Sequence, residues 1–343
     1  MHKKVLTVIL VFAVVILIVA IYLEYTTPSA HTFNANNMSR GKIIGVNGEI
    51  MNYSTSKKIE SYGIVWIRYD VKLTPQFDAY ITNLTQDKFQ ILGILDYETL
   101  GVGINASGCI KNCNWSLNEW NDSVLAAVKM YPMIHTWEIW NEPQLQRFQS
   151  GFNNGSVYNY FLMLKSAYSI IKTQNSSNTV LCLGGDNIFE GNYTYYDYYW
   201  AKQLWSYGAS NYCDGISLHA YSGFTLLLNQ TIPSTNVTMG ELFNYSLQDY
   251  ENLTKKPIWI TETGIPSGMN SSYPNYFGAS QKKQEIFLNQ SFNSFLSEPY
   301  VKGIFWFNLY GNVDEPYDLN FGLFDQNLTP KPAWSAFNKF LNT

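Results

Sequence analysis

Two apolar stretches of the sequence each carry a glutamate near their end. WEIWNEP covers residues 137–143 and sets Glu142 between Asn141 and Pro143, and WITETG covers residues 259–264 and contains Glu262. Two carboxylates that face each other across a cleft can cleave a glycosidic bond, because one protonates the leaving oxygen while the other attacks the anomeric carbon or activates water. Carboxylates beside such apolar segments are costly to bury, so we favour this chemistry over rim ion pairs with Lys or Arg.

Eight short runs of β-branched and aromatic residues recur from Lys42 onward. They cover residues 42–50, 64–71, 89–98, 134–143, 179–188, 215–223, 257–266 and 301–311. Helical spacing marks residues 116–130, 157–172 and 280–297, and Pro332 suits the start of a last helix. Because the runs are continuously apolar rather than alternating, they predict an α/β fold with a closed parallel sheet covered by helices, a (β/α)₈ TIM barrel.

A doubly wound open sheet is the alternative to this barrel. Its first strand would lead into a Gly-rich phosphate turn, and GVNGEI at residues 45–50 is not that fingerprint. We therefore predict one catalytic domain over residues 42–343. In a barrel, functional side chains stand at the C-terminal ends of the strands, and the polar or aromatic candidates at those positions are Arg68, Asn141, Glu142, His219, Tyr221, Glu262 and Trp306.

Four motifs follow one another in a specific order. They are WEIWNEP, ISLHAY, WITETG and FWFNLYG, and the two motif glutamates are 120 residues apart, the length of three barrel units. In the order of these motifs and the spacing of the two glutamates, the chain resembles clan A of the glycoside hydrolases, notably families 5 and 39, over residues 42–343. The resemblance implies a retaining enzyme without a cofactor that hydrolyses β-O-glycosidic bonds of oligo- or polysaccharides, with Glu142 as general acid/base and Glu262 as nucleophile.

The resemblance also implies roles for the neighbours of these carboxylates. Asn141 would hold the 2-hydroxyl of the sugar, Tyr221 would donate a hydrogen bond to Glu262, and Arg68 would add a positive charge beside it. Glu142 must begin the reaction protonated, and we expect the negative charge of Glu262 to raise its pKa.

Two further residues are expected to reach the substrate. His219, two positions before Tyr221, would contact the sugar or the residues around it. Trp306 would stack on the pyranose ring, although a tryptophan of the barrel core is the alternative.

The N-terminus predicts a membrane anchor. Residues 5–23 are apolar and uncharged, about the length of helix that crosses a bilayer, and Lys3 and Lys4 precede them. We interpret residues 1–24 as a single-pass signal-anchor and residues 25–41 as a polar linker, which places the catalytic domain outside the cell. A cleaved signal peptide, and hence a secreted enzyme, is the alternative.

Other features of the composition agree with an exterior location. The chain carries 16 Asn-x-Ser/Thr sequons, which predict N-glycosylation. Its net charge is −4 and no basic run occurs, so nucleic acid is not an expected partner. Beyond the linker only His135 and His219 are histidines, too few for a zinc site with cysteine partners at matching spacing.

Four cysteines suit an oxidising compartment. Cys109 and Cys113 are close enough in sequence to close one loop as a disulfide. Cys182 stands in an apolar run and could be a buried thiol beside Cys213.

Two other functions remain possible from the sequence alone. A non-catalytic carbohydrate-binding or adhesion module could use the same fold, but the two intact glutamates argue against it. A transglycosylase would use the same residues and transfer the sugar to another sugar instead of to water.

Overall fold

The fold of residues 41–341 is seen in a computed structural model, with the gaps given below. The structure describes residues 41–48, 53–86, 89–105, 107–187, 196–222, 226–232, 236–267, 279–310, 320–325 and 327–341. The predicted anchor, residues 1–24, and residues 25–40 of the predicted linker lie outside these stretches, so that division of the chain stays a prediction. Among the residues that are described, no helix combines the length and apolar composition needed to cross a membrane.

Eight parallel strands close into a barrel, with a small hairpin inserted after the third. The strands are β1 (Ile43–Asn47), β2 (Trp66–Asp70), β3 (Gln90–Leu95), β4 (Gly103–Asn105), β5 (Gly108–Lys111), β6 (Thr136–Ile139), β7 (Thr179–Asn187), β8 (Gly215–His219), β9 (Ile258–Thr263) and β10 (Val301–Trp306). The order around the barrel follows the chain, β10 pairs with β1 to close it, and β4 and β5 form the separate hairpin. Each of the eight predicted runs contains one barrel strand, so the predicted barrel is confirmed.

Helices alternate with the barrel strands. Those of the described residues are α1 (Tyr53–Ser61), α2 (Pro75–Gln86), α3 (Leu117–Met130), α4 (Val157–Gln174), α5 (Tyr196–Ser206), α6 (Met239–Thr254), α7 (Gln281–Ser297) and α8 (Pro332–Leu341). Capping boxes start two of them: Ser116 exchanges hydrogen bonds with Glu119 before α3, and Thr238 does so with Glu241 before α6. The helices predicted at α3, α4, α7 and α8 are confirmed.

Two disulfides tie loops and strands together. Cys109 is bonded to Cys113 beside the β4–β5 hairpin. Cys182 of β7 is bonded to Cys213, just before β8, so it is not a buried thiol.

The interior of the barrel is filled in layers. A buried apolar cluster of Leu92, Leu181, Trp259 and Phe305 forms one layer. Two residues further along β9, Thr261 lies on the same face of its strand as Trp259, one step closer to the C-terminal ends. The apolar cluster is therefore a floor on which polar side chains of the next layer rest.

The close packing of this floor requires a glycine at position 45 of β1. A Cβ atom at this position would lie 2.4 Å from Cε1 of Phe305 and 3.0 Å from Cβ of Trp66. Phe305 thus occupies the space that any larger residue at position 45 would need.

We predict that Gly45→Ala lowers the free energy of unfolding by about 1–3 kcal/mol, because the added methyl group overpacks the floor. Chemical denaturation of the protein measures this loss. The double variant Gly45→Ala/Phe305→Leu should recover part of the stability, and purely additive losses in the double variant would contradict the proposed contact.

Candidate active site

A buried ion network lies above the apolar floor. Arg68 of β2 donates from Nε to Oε2 of Glu138 at 2.6 Å and from Nη1 to Oδ1 of Asn47 at 2.8 Å. The other oxygen of Glu138 accepts a hydrogen bond from Oγ1 of Thr261 at 3.1 Å. Burial by itself lowers the pKa of Arg68, but the carboxylates of Glu138 and Glu262 outweigh it and the pKa is raised, so the guanidinium stays charged inside the barrel.

Glu262, near the end of β9, receives one donor on each oxygen. Arg68 donates from Nη1 to Oε1 at 2.5 Å, and the hydroxyl of Tyr221 donates to Oε2 at 2.5 Å. The same guanidinium reaches Asn141 through Nη2, 3.0 Å from Oδ1. Arg68 therefore links the carboxylate of β9 to the segment that follows β6.

His219 stands between the two glutamates. Its Nδ1 lies 2.9 Å from Oε1 of Glu142, and its Nε2 lies 3.5 Å from Oε1 of Glu262. The imidazole is 0% exposed. The two carboxylates predicted from separate motifs thus meet on opposite nitrogens of one ring.

A pair of glycines in β7 makes room for this arrangement. A Cβ atom on Gly185 would lie 2.0 Å from Nε2 of His219, and the φ of Gly185 is +78°. Gly184, with φ of +62°, accepts a hydrogen bond from the backbone N–H of Glu142 at 2.5 Å and packs against Pro143. Both positions therefore require glycine for close approach and for a left-handed backbone.

The segment after β6 also has a left-handed backbone at residues that carry side chains. Trp140 has φ of 68° and Glu142 has φ of 44°. Such values are uncommon for residues other than glycine and cluster at functional sites, where the surrounding structure holds them. The hydrogen bond from Glu142 to Gly184 is one contact that holds this turn.

The pKa of Glu142 differs from the expectation. Burial raises it, but the hydrogen bond and charge of His219 and the charge of Arg147 outweigh burial and lower it to about 2. Nη2 of Arg147 lies 3.0 Å from Oε2 of Glu142. The predicted increase is wrong, because the sequence did not indicate that two donors bind this carboxylate.

Trp306 does not line the cleft. Its side chain is 0% exposed, its Nε1 donates to the carbonyl of Phe321 at 3.0 Å, and its ring packs beside Phe287 and Phe292 of α7. The prediction that it stacks on a sugar is therefore wrong, and the alternative of a core tryptophan holds. The preceding residue, Phe305, joins the barrel interior, so the period of two along β10 turns Trp306 outward.

Arg68 and His219 are both buried beside the glutamates. Arg68 is 3% exposed, and its contacts are with Glu138, Glu262 and the amides beside them, so it supplies the positive charge that was predicted beside Glu262. His219 contacts the two glutamates, which is one of the two places predicted for it. Direct contact of either residue with a sugar stays a prediction.

The structure also shows residues that sequence reasoning missed. Glu138 could have been noticed as a carboxylate within an apolar strand, two positions before Trp140, and Gly184–Gly185 as paired glycines in a run of apolar residues. Arg147 gave no comparable signal. Within the described stretches, no three His, Cys, Asp or Glu side chains are grouped so that they could hold a metal ion.

The family follows from a comparison with protein-family models. Residues 112–334 match the model described as glycosyl hydrolase catalytic core. The chain belongs to this family. Both Glu142 and Glu262 of this glycosyl hydrolase lie inside the matched region. A comparison with curated protein sequences gives no significant match.

Solved structures with a similar fold include several glycoside hydrolases. The glycosyl hydrolase superposes on a family 39 glycoside hydrolase from Bacteroides cellulosilyticus WH2 with a TM-score of 0.62 and 18% identity, over 88% of its own chain and 64% of the other. Xylanase 10B from Thermotoga maritima gives a TM-score of 0.59 at 19% identity, over 88% and 95% of the two chains. A family 128 endo-β-1,3-glucanase from Amycolatopsis mediterranei gives a TM-score of 0.54 at 15% identity, over 87% of this chain and 99% of the glucanase chain. These similarities establish the barrel fold.

We predict that Glu138→Gln lowers the free energy of unfolding by on the order of 3 kcal/mol, because it removes a charged partner from a buried guanidinium. Denaturant titration of the folded enzyme measures the change. The matched control is Glu60→Gln, which removes an exposed ion pair with Lys57 and should cost less than about 1 kcal/mol. Equal losses for the two variants would contradict the importance of the buried network.

Proposed function

We propose that this glycoside hydrolase cleaves β-O-glycosidic bonds with retention of configuration, with Glu262 as nucleophile and Glu142 as general acid/base. The observation that carries the proposal is the meeting of both carboxylates at His219, at the C-terminal end of the barrel, where enzymes of this fold hold their active sites. Both glutamates are largely buried, and each has its own set of donors.

The surroundings of Glu262 favour the nucleophile role. Arg68 and Tyr221 each donate to one of its oxygens, which fixes the plane of the carboxylate. In the first step an oxygen of Glu262 forms a bond to the anomeric carbon while the bond from that carbon to the leaving oxygen breaks. The product is a glycosyl ester of Glu262.

Glu142 serves both steps. In the first, its proton passes to the leaving oxygen, so that the released sugar departs as a neutral alcohol. In the second, the Glu142 carboxylate takes a proton from water as the water oxygen attacks the anomeric carbon and the ester to Glu262 breaks. The low pKa of Glu142 keeps the carboxylate ionised, as the start of the second step requires, and the first step requires that a donor leave Glu142.

Asn141 is placed to recognise the sugar. Its Oδ1 accepts from Arg68, which directs the Nδ2 amide away from the guanidinium as a donor for a sugar hydroxyl. A hydrogen bond to the 2-hydroxyl strengthens as positive charge develops at the anomeric carbon, so this contact would favour the transition state.

The substrate and location form part of the same proposal. An oligo- or polysaccharide outside the cell is supported by the apolar run at residues 5–23 and by the 16 sequons. Two proteins of similar fold carry names that denote polysaccharide cleavage, a xylanase and an endo-β-1,3-glucanase. Products from oligosaccharides would separate hydrolysis, which shortens them, from transglycosylation, which also lengthens them.

We predict that Glu262→Gly abolishes hydrolysis of a dinitrophenyl β-glycoside. Added azide should restore cleavage of this substrate. Azide then occupies the place of the missing carboxylate and attacks from the α face, so the product is an α-glycosyl azide. NMR spectroscopy of the product identifies the anomer. Failure of azide to restore turnover, in a variant that denatures like the parent enzyme, would remove Glu262 from the nucleophile role.

Glu142→Ala is predicted to lower kcat by about 10²–10⁴-fold on glycosides with poor leaving groups, because protonation of the leaving oxygen is lost. Dinitrophenyl glycosides should still form the ester to Glu262, and azide should trap that ester as a β-glycosyl azide. The opposite anomers expected from the two variants distinguish the two roles. Glu60→Ala, which changes an exposed carboxylate on α1, is the control and should leave kcat unchanged.

A further inference from the structure

Both oxygens of Glu142 are occupied by donors. His219 holds Oε1 through Nδ1 at 2.9 Å, and Arg147 holds Oε2 through Nη2 at 3.0 Å. A general acid must carry its proton on an oxygen that faces the leaving group, so one donor has to withdraw before the bond is cleaved.

The donor that can withdraw is Arg147. His219 is fully buried, and Gly185 packs directly against its ring. The side chain of Arg147 is 52% exposed, whereas that of Glu142 is 6% exposed. Oε2 of Glu142 is therefore the oxygen that carries the proton, and the guanidinium of Arg147 covers it until substrate arrives.

A neutral sugar is poorly suited to draw Arg147 away. The ion pair joins a guanidinium to a largely buried carboxylate, and a sugar hydroxyl offers no charge in exchange. A carboxylate does, and its two coplanar oxygens can accept from both arms of a guanidinium, whereas Glu142 offers Arg147 only Oε2. The exchange replaces one carboxylate partner of Arg147 by another.

The position of Arg147 limits where this carboxylate can lie. The guanidinium carbon is 4.4 Å from the centre of the Phe148 ring, and Phe148 stacks on Tyr97 with centroids 5.5 Å apart and planes at 10°. Attraction to the ring of Phe148 favours positions of the guanidinium near that ring when its carboxylate partner changes. Because Arg147 adjoins the proton-bearing oxygen, its new partner belongs to the sugar on the leaving-group side.

We propose, on the basis of the catalytic roles assigned above, that the leaving-group side of the cleft binds a uronic acid residue through Arg147. Its carboxylate takes Arg147 from Glu142, and Oε2 of Glu142 then takes a proton from solvent and delivers it to the leaving oxygen. When the uronic acid leaves, Arg147 returns to Glu142 and stabilises the carboxylate that accepts the proton of the attacking water. The substrate class is an acidic β-glycan.

A paired panel of oligosaccharides tests the proposal. Each β-linked, uronate-containing oligosaccharide is compared with its carboxyl-reduced form, which keeps the linkage and loses the charge. We expect the enzyme to show a kcat/KM about 10–100-fold higher on acidic members, and Arg147→Met to remove this preference. Arg147→Lys should retain part of it, and Lys282→Met, which removes an exposed charge on α7, should retain all of it.

Each other outcome is also decisive. Equal cleavage of acidic and reduced forms, a preference that survives in Arg147→Met, or cleavage of neutral members only would overturn the proposal while leaving the glycosidase assignment intact. A third arm compares sulfated with desulfated oligosaccharides. A preference for the sulfated forms would overturn the uronic acid and show that Arg147 binds a sulfate group instead. No cleavage of any oligosaccharide or dinitrophenyl glycoside would refute the catalytic roles themselves.

A pH profile separates this role from a purely structural one. On a neutral aryl glycoside, Arg147→Met should raise the pKa of Glu142, because the guanidinium no longer stabilises its anion. The basic limb of the kcat/KM profile, which reports protonated Glu142, should therefore move to higher pH. An unchanged limb would contradict the contact between Arg147 and Glu142 in solution.

Discussion

The charge of Arg68 inside the barrel is the constraint on which the site depends. A buried guanidinium needs anionic and amide partners on nearly all of its N–H groups, and Glu138, Glu262, Asn47 and Asn141 provide them. These partners come from three strands or their ends, β1, β6 and β9, so pairing with Arg68 of β2 brings them to one level of the barrel. The carboxylate of Glu262, the proposed nucleophile, is thereby held by the same ion pair that compensates the buried charge of Arg68.

The layers of the interior explain why this arrangement is rigid. The apolar floor of Leu92, Leu181, Trp259 and Phe305 packs the interior of the barrel below the polar layer. Above it, the imidazole of His219 is enclosed by Gly185 and lies between the two glutamates. Preorganised donors of this kind need no rearrangement as charge moves during the reaction.

Local patterns were enough to predict the barrel and its two glutamates, because apolar runs and the order of motifs are properties of short segments. The surroundings of those glutamates depend on contacts between distant segments, which is why Glu138, Gly185 and Arg147 were missed. The pKa of Glu142 was predicted in the wrong direction for the same reason. Trp306 shows a different limit: its place at a strand end was apparent, but the face it would occupy depended on Phe305 entering the interior.

The donors of the two glutamates differ in how easily they can be exchanged. Those of Glu262 include a buried arginine fixed by Glu138, and nothing that enters from solvent can replace it without leaving a buried charge uncompensated. Glu142 has one fixed donor, His219, and one half-exposed donor, Arg147. A nucleophile must remain anionic and in place, whereas an acid/base must gain and lose a proton in each turnover. The distribution of buried and exposed donors thus supports the two proposed roles independently of the order of the motifs in the sequence.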